Sequence, residues 1–258
     1  MYGYCLKNPM IPTGGVGNAE LFLVYEFPVY GALLNMLIHD EKRQELTSKR
    51  RIKIMYEVAR ALFFLHKGSI ADGTTKFSFC HGDIKAATIY LTSDYTVKLM
   101  DCGISKFVED PTSSYLEKNT LKISFLLMDD LKVIGTPGYC CPSYASGKIL
   151  RYEPSCDLYS FGILMFELLT GWPQFGQSNI RSCNQNLIRK YYDKNVLLSS
   201  LDELAGDGWN YVVEDLCDCA LSCVKLDHRD RPTTEEVFER LSDAYTRFVL
   251  SPTTSPTK

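Results

Sequence analysis

The sequence carries no excess of one charge: 28 Lys and Arg stand against 31 Asp and Glu in 258 residues, for a formal net charge of −3. That balance argues against a nucleic-acid partner, which would call for a basic surface. The densest basic cluster, Lys49-Arg50-Arg51 with Lys53, opens a helical segment and reads as a solvated helix face. Long hydrophobic runs are also missing. The best of them, Ile163 to Leu169, is interrupted by Glu167 and is too short to span a bilayer. The first residues, Met1-Tyr2-Gly3-Tyr4-Cys5, lack the basic region and apolar core of a signal peptide. There is no internal repeat. The ten cysteines have neither disulfide-scaffold nor zinc-ligand spacing. Cys217, Cys219 and Cys223 come nearest to a cluster, but positions two apart on a helix face away from each other and no histidine adjoins them. These absences leave a cytoplasmic domain with reduced thiols and no direct membrane insertion.

With 45% hydrophobic residues, the chain has the composition of a globular protein with a substantial core. Residues 1–20 hold Pro9, Pro12, Gly14, Gly15 and Gly17 and lead into an apolar strand, Leu21 to Tyr25. The Gly14-Gly15-Val16-Gly17 run precedes only a strand, so it reads as a hairpin loop and not a phosphate loop. A short helix is expected from Gly31 to His39. A longer one, capped by Thr47 or Ser48, should run to His66, with Ile52, Met55, Tyr56, Ala59, Leu62 and Phe63 on its buried face. Ile89-Tyr90-Leu91 and Val97-Lys98-Leu99 form a hairpin around a turn at Ser93-Asp94. Ile104 to Tyr139 shows no clean period. Ser155 to Thr170 is apolar nearly all round, the mark of a helix buried mid-domain. Two further helices are expected at Trp209–Val224 and Thr234–Phe248, the second with Thr233 and Glu236 at capping-box spacing. Residues 251–258 read as a disordered tail.

The chain is organised around His81-Gly82-Asp83-Ile84-Lys85-Ala86-Ala87-Thr88, followed one hairpin later by Asp101-Cys102-Gly103. Both motifs put charged side chains in loops beside short apolar strands, where side chains reach ligands. The arrangement resembles the protein kinases, and within them the tyrosine-kinase-like group of interleukin-1-receptor-associated kinases and plant receptor-like kinases. Six motifs carry the likeness in order. They are Leu23-Val24-Tyr25-Glu26-Phe27 as the hinge, His81 to Lys85 as the catalytic loop, Asp101-Cys102-Gly103 as the metal-binding triplet, Gly135-Thr136-Pro137-Gly138-Tyr139 as the end of the activation segment, Asp157 to Gly162 as the buried helix, and Asp230-Arg231-Pro232 as the late helical anchor.

The resemblance implies an α+β fold: a mostly helical kinase C-lobe with a few short strands and a remnant of the N-lobe sheet. It divides the chain into an N-lobe remnant and hinge at 1–30, a C-lobe at 31–250 and the tail. It implies ATP-dependent phosphoryl transfer to Ser or Thr of protein substrates in signalling, with ATP and Mg2+ as cofactors if the domain is active. Asp83 and Lys85 take the catalytic roles, and Asp101 the magnesium. Thr88 stands at the second metal position as a poorer ligand. Tyr25, Glu26, Phe27 and Pro28 are the nucleotide hinge, while His81, Asp157 and Arg231 are structural supports. Thr112, Ser113, Thr120 and Thr136 are possible phosphorylation sites, and Thr136 in its Gly-Thr-Pro-Gly-Tyr setting favours Ser/Thr acceptors.

Several positions depart from the family pattern. Nothing ahead of the hinge supplies the glycine-rich loop or the strand lysine, so the chain by itself is expected to be inactive. Thr88 replaces the asparagine of the second metal site, and Cys102 replaces a phenylalanine of the internal hydrophobic column. Pro28 stands where a backbone N–H meets adenine, and proline has none. Gly82 replaces an arginine that clamps a phosphorylated activation segment. Cys141-Pro142-Ser143 replaces Ala-Pro-Glu, whose glutamate pairs with an arginine like Arg231, so Arg231 needs another partner. The alternative reading is a pseudokinase-like scaffold with weak or no catalysis.

Overall fold

The computed structural model describes residues 3–7, 20–24, 26–70, 76–108, 135–174, 193–209 and 212–250. Tyr25, the Gly14–Gly17 run, Thr112, Ser113, Thr120 and the 251–258 tail therefore lie outside the described residues. Strands β1 (Gly3–Lys7) and β2 (Glu20–Val24) form an antiparallel hairpin with Gly3 opposite Val24. The segment expected to be helical from Gly31 starts as a strand, β3 (Gly31–Ala32), paired with β6 (Ile89–Leu91). Gly31 sits at φ +67°, which is not helical backbone, so helix α1 begins only at Leu33 and ends at Leu37. Helix α2 (Asp40–Arg43) and the long α3 (Ser48–Lys67) follow. Thr47 caps α3 by accepting the Arg50 N–H, and Gly68 at φ +76° ends it.

The expected hairpin is present: β6 pairs with β7 (Val97–Leu99), with Ile89 opposite Leu99. A second small sheet, not foreseen from the sequence, joins β4 (Ser69–Ile70), β5 (Lys76–Cys80) and β8 (Lys106–Val108) in the order β4-β5-β8. It brackets the stretch from His81 to Thr88, which leaves directly from Cys80. Helix α4 (Pro142–Ala145) is short, and α5 (Pro154–Thr170) is the buried helix. Helices α6 (Lys194–Leu198), α7 (Val213–Cys223) and α8 (Thr234–Leu250) follow. The capping box holds: the Thr233 N–H donates to Glu236 at 2.7 Å and the Glu236 N–H donates to the Thr233 hydroxyl at 3.2 Å.

Every residue of α5 from Cys156 to Thr170 is buried, which explains its apolar character on all sides. Helix α7 crosses it closely. A Cβ on Gly162 would stand 2.7 Å from the Val224 side chain and 3.1 Å from the Ala220 carbonyl, so the crossing requires glycine. Each aliphatic or aromatic side chain buried in this core contributes about 1.5–3 kcal/mol relative to exposure.

One polar group in α5 has a measurable cost. Glu167 is wholly buried; its Oε1 accepts the Tyr139 hydroxyl and the Gln174 N–H, each at 2.6 Å, and Oε2 has no hydrogen-bond partner among the described residues. Burial pushes the carboxyl up to about 7 against these two donors. The folded state therefore holds the Glu167 proton that the unfolded chain releases near its ordinary value. The resulting stability is complete below that value and is lost as pH rises through about 7. Urea unfolding of Glu167→Gln should lack this slope, with the wild type losing about 2–4 kcal/mol more than the variant between pH 4.5 and 8.

Candidate active site around Asp83

The catalytic-loop sequence is held from behind by Asp157, the fourth residue of α5. Its Oδ2 accepts the His81 N–H at 2.6 Å, and its Oδ1 accepts the Gly82 N–H at 2.9 Å and the Tyr152 hydroxyl at 3.0 Å. Nε2 of His66, at the end of α3, approaches Oδ2 at 2.9 Å. Burial alone would raise the Asp157 carboxyl; the bonds from His66 and the two loop N–H groups outweigh it and hold the carboxyl below its ordinary value. His81 is itself fully buried. Its Nδ1 accepts the Asp83 N–H at 3.2 Å, so Nε2 carries the proton and donates to the Met100 carbonyl at 2.8 Å. One imidazole thus ties the loop bearing Asp83 to the residue before Asp101.

Gly82 has φ +86°, and a Cβ there would lie 3.1 Å from the Ile104 carbonyl. The positive φ strains any side chain at this point, and a Cβ would also press on the Ile104 carbonyl. Gly82→Ala should destabilise the domain by about 1–2 kcal/mol in thermal or urea unfolding. It should also loosen the Gly82–Asp157 bond, which slowed amide exchange at Gly82 would reveal in the wild type.

In front of this frame three side chains close a triangle. Lys85 Nζ lies 2.6 Å from Asp83 Oδ2 and 2.7 Å from the Thr136 hydroxyl, and that hydroxyl donates to Asp83 Oδ1 at 2.6 Å. Asp83 and Lys85 remain partly exposed, their side chains at 15% and 21%, so they are reachable from solvent. Thr136 was expected as a phosphorylation site, but its hydroxyl is engaged with both. A phosphate on it would bring negative charge against Asp83.

Thr88 is fully buried. Its hydroxyl donates to the Asp83 carbonyl at 2.7 Å and the Lys85 carbonyl at 3.1 Å, and accepts the Lys85 N–H at 3.3 Å. The structure therefore uses this hydroxyl to fold the loop on itself, away from the expected metal role. Asp101 is exposed and its carboxylate caps no helix. Its backbone sits at φ 63°, ψ 45°, a left-handed conformation that Asp holds more readily than most non-glycine residues. Cys102, expected to underfill an internal column, is exposed in the turn Cys102–Ile104.

The profile of the protein kinase domain matches residues 10–241 of the chain. The chain belongs to the protein kinase family. Its similar proteins include U-box domain-containing protein 70 of Oryza sativa subsp. japonica, 36% identical over 228 residues, or 88% of this chain and 25% of that protein. Cysteine-rich receptor-like protein kinases 25 and 28 of Arabidopsis thaliana are 31% and 30% identical over 244 and 242 residues; each alignment takes in 92% of this chain and 31% of the relative. The chain thus spans about a third or less of the length of these relatives. No helix among the described residues is long and apolar enough to cross a membrane.

Two family positions have changed surroundings in this kinase domain. At the expected hinge, Glu26 pairs with Lys98 at 2.8 Å and Phe27 is 86% exposed. Pro28 is buried, and its carbonyl accepts the Gly31 N–H at 2.9 Å. At the late anchor, Arg231 forms no ion pair with a carboxylate among the described residues. Its guanidinium donates instead to the carbonyls of Lys225 at 2.8 Å, Ser155 at 2.9 Å and Leu226 at 3.3 Å, and to the Cys141 sulfur at 3.0 Å. Ser143, in place of the family's glutamate, donates to the Leu226 carbonyl at 3.0 Å.

Sequence reasoning missed His66. Its Nδ1 contacts the Thr234 hydroxyl at 2.7 Å, so the imidazole links α3, α5 and α8. Cys80 lies beside it and Asp157, all three within 4.8 Å. Burial raises the Cys80 thiol further above its ordinary value than any neighbour does, so it stays neutral. With Asp157 already saturated by four donors, this cluster is a packed support for the loop.

Proposed function

We propose that this domain transfers the γ-phosphoryl group of ATP to serine or threonine hydroxyls of protein substrates in signalling. The observation that carries the reading is the Asp83–Lys85–Thr136 triangle, in which an aliphatic hydroxyl already sits between a carboxylate and an ammonium at 2.6 Å and 2.7 Å. A substrate hydroxyl in that setting would lose its proton to Asp83 as its oxygen bonds to the phosphorus, while Lys85 stabilises charge on the transferred group. The exposed carboxylate of Asp101 fits one Mg2+; the Thr88 hydroxyl is turned to the Asp83 and Lys85 carbonyls and makes a poorer second ligand. Bound Mg2+ would neutralise phosphate charge. The backbone of Glu26 and Phe27 supplies the adenine edge, since Pro28 has no N–H to donate. Asp157, His81 and Arg231 are supports that hold the loops. We read residues 31–250 as the C-lobe unit, 1–30 as hinge and N-lobe remnant, and the free thiols as fitting a cytoplasmic location.

A second reading, a kinase-derived docking module without catalysis, is favoured by Pro28, by the internal use of Thr88 and by Ser143. Incubation of the domain joined to a complete N-lobe, with glycine-rich loop and strand lysine, with Mg2+ and γ-labelled ATP, followed by phosphoamino-acid analysis of a mixed protein substrate, separates the two. Label in phosphoserine or phosphothreonine is the expected result. Label in phosphotyrosine overturns the Ser/Thr assignment. The absence of both incorporation and thermal stabilisation at millimolar Mg-ATP supports the docking module.

A further inference from the structure

Thr88 joins the loop bearing Asp83 and Lys85 to strand β6, and its main chain extends the β6–β7 ladder by one step. Ile89 stands opposite Leu99, and beyond that pair the Met100 N–H donates to the Thr88 carbonyl at 2.9 Å. The Met100 carbonyl accepts from His81 at 2.8 Å. Both main-chain groups of Met100 are therefore tied to the loop, and Asp101 follows at a fixed offset from it. The Thr88 hydroxyl fixes the loop itself. Its one proton is shared between the Asp83 carbonyl at 2.7 Å and the Lys85 carbonyl at 3.1 Å, and its oxygen accepts the Lys85 N–H at 3.3 Å. A single wholly buried oxygen thus holds the backbones of both charged residues.

We infer that Thr88 is a positioning residue whose hydroxyl and carbonyl set the mutual placement of Asp83, Lys85 and Asp101. What that placement serves rests on the phosphoryl-transfer reading above. The ion pair between Asp83 and Lys85 cannot do this alone. Attraction sets a distance of 2.6 Å, but the lysine ammonium is a point charge on a flexible stem and meets a carboxylate from many directions. Direction has to come from the backbone that carries the two side chains. The β-branched Thr88 side chain, stiff at χ1, supplies it.

The hydroxyl is committed to this task at the expense of metal binding. A Mg2+ ion takes its oxygen ligands at about 2.0–2.1 Å in a near-octahedral shell. An oxygen that is wholly buried and already serves three backbone groups could join that shell only by releasing them. Ligation therefore falls to the exposed Asp101, and Thr88 acts on it from behind through Met100. Thr88 exchanges no proton with the substrate. Its influence on the rate is geometric, and a misplacement of about 1 Å is enough to cost about 100-fold.

The test compares Thr88→Val, which keeps the shape and removes the hydroxyl, with Thr88→Ser, which keeps the hydroxyl. In the 258-residue chain, amide exchange at Lys85 should be about tenfold faster in Thr88→Val than in wild type or Thr88→Ser, with exchange in the middle of α8 unchanged. In the domain joined to a complete N-lobe, Thr88→Val should lower kcat by about 10- to 100-fold, with KM for ATP within about threefold, at limiting and at saturating Mg2+ alike. Thr88→Ser should restore kcat. A Thr88→Val defect that saturating Mg2+ erases makes Thr88 a metal ligand and overturns the inference. It is also overturned by wild-type exchange and kcat in Thr88→Val, by a failure of Thr88→Ser to restore either, or by faster exchange throughout α8, the mark of a merely structural residue. If the wild type transfers no phosphate, the phosphoryl-transfer reading fails by itself, and the exchange comparison still decides whether the Thr88 hydroxyl sets the loop.

Discussion

Asp83→Asn is expected to lower phosphate incorporation by about two to four orders of magnitude, the usual contribution of a positioned general base. The asparagine amide keeps the shape of the carboxylate and can still accept the Thr136 hydroxyl, but it cannot take up the substrate's proton. It also removes the charge that holds Lys85 Nζ at 2.6 Å. Folding should be nearly unaffected. The Asp83 side chain is partly exposed and its side-chain hydrogen bonds among the described residues go to Lys85 and Thr136, whereas the loop's shape is fixed by the backbone bonds of His81 and Gly82 to Asp157 and by the Thr88 hydroxyl. The measurement pairs initial rates at saturating Mg-ATP with a thermal melt. A rate within threefold of wild type, with an unchanged melt, would remove Asp83 from the role of base. A melting temperature lowered by many degrees would instead make it a structural residue.

Local features were legible in the sequence because their causes are local. The turn at Ser93-Asp94 sets the β6–β7 register, Thr47 and the Thr233–Glu236 pair mark helix starts, and an apolar surface on all sides identified α5. The catalytic-loop motif put Asp83 and Lys85 two residues apart, and the fold joins their side chains. Contacts that depend on distant partners left no periodic trace. His66 meets Asp157 across 91 positions, and Arg231 meets Cys141 across 90. Strand β8 lay hidden in a segment without a clean period because its pairing with β5 supplies what its sequence does not advertise. Thr136 shows the limit most clearly. A hydroxyl in a flexible-looking segment suggests modification, and only the fold brings it between Asp83 and Lys85.

The same long-range logic underlies the largest stability effect expected. Arg51, on the first turn of α3, is wholly buried and reads three acceptors at once: the Leu46 carbonyl at 2.6 Å, the Leu168 carbonyl at 2.8 Å and Asp202 Oδ2 at 2.6 Å. Burial pulls its pKa down and Asp202 works against that pull. Arg43 Nε adds a second cation 3.3 Å from the same oxygen. The space is so closely filled that a Cβ on Gly171 would lie 2.1 Å from it. Asp202→Ala leaves the Arg51 charge buried without a counter-ion, which should cost about 3–5 kcal/mol in urea unfolding. That is a large part of the total stability of an ordinary domain, about 5–15 kcal/mol. Arg51→Lys retains the charge but not the planar fork, and a single ammonium cannot serve three acceptors in different directions. It should therefore also destabilise, by about 2–3 kcal/mol as buried carbonyls lose their donors. If Arg51→Lys were neutral, charge alone would account for the site and the geometric argument would fail. Arg51 fastens the start of α3 to the end of α5 through Leu168, and the opposite ends of those two helices carry His66 and Asp157. The frame that aims Asp83 is thus clamped at both ends. Loss of the Arg51–Asp202 clamp should loosen the His66–Asp157 contact before the domain unfolds, seen as faster amide exchange at His81 and Gly82.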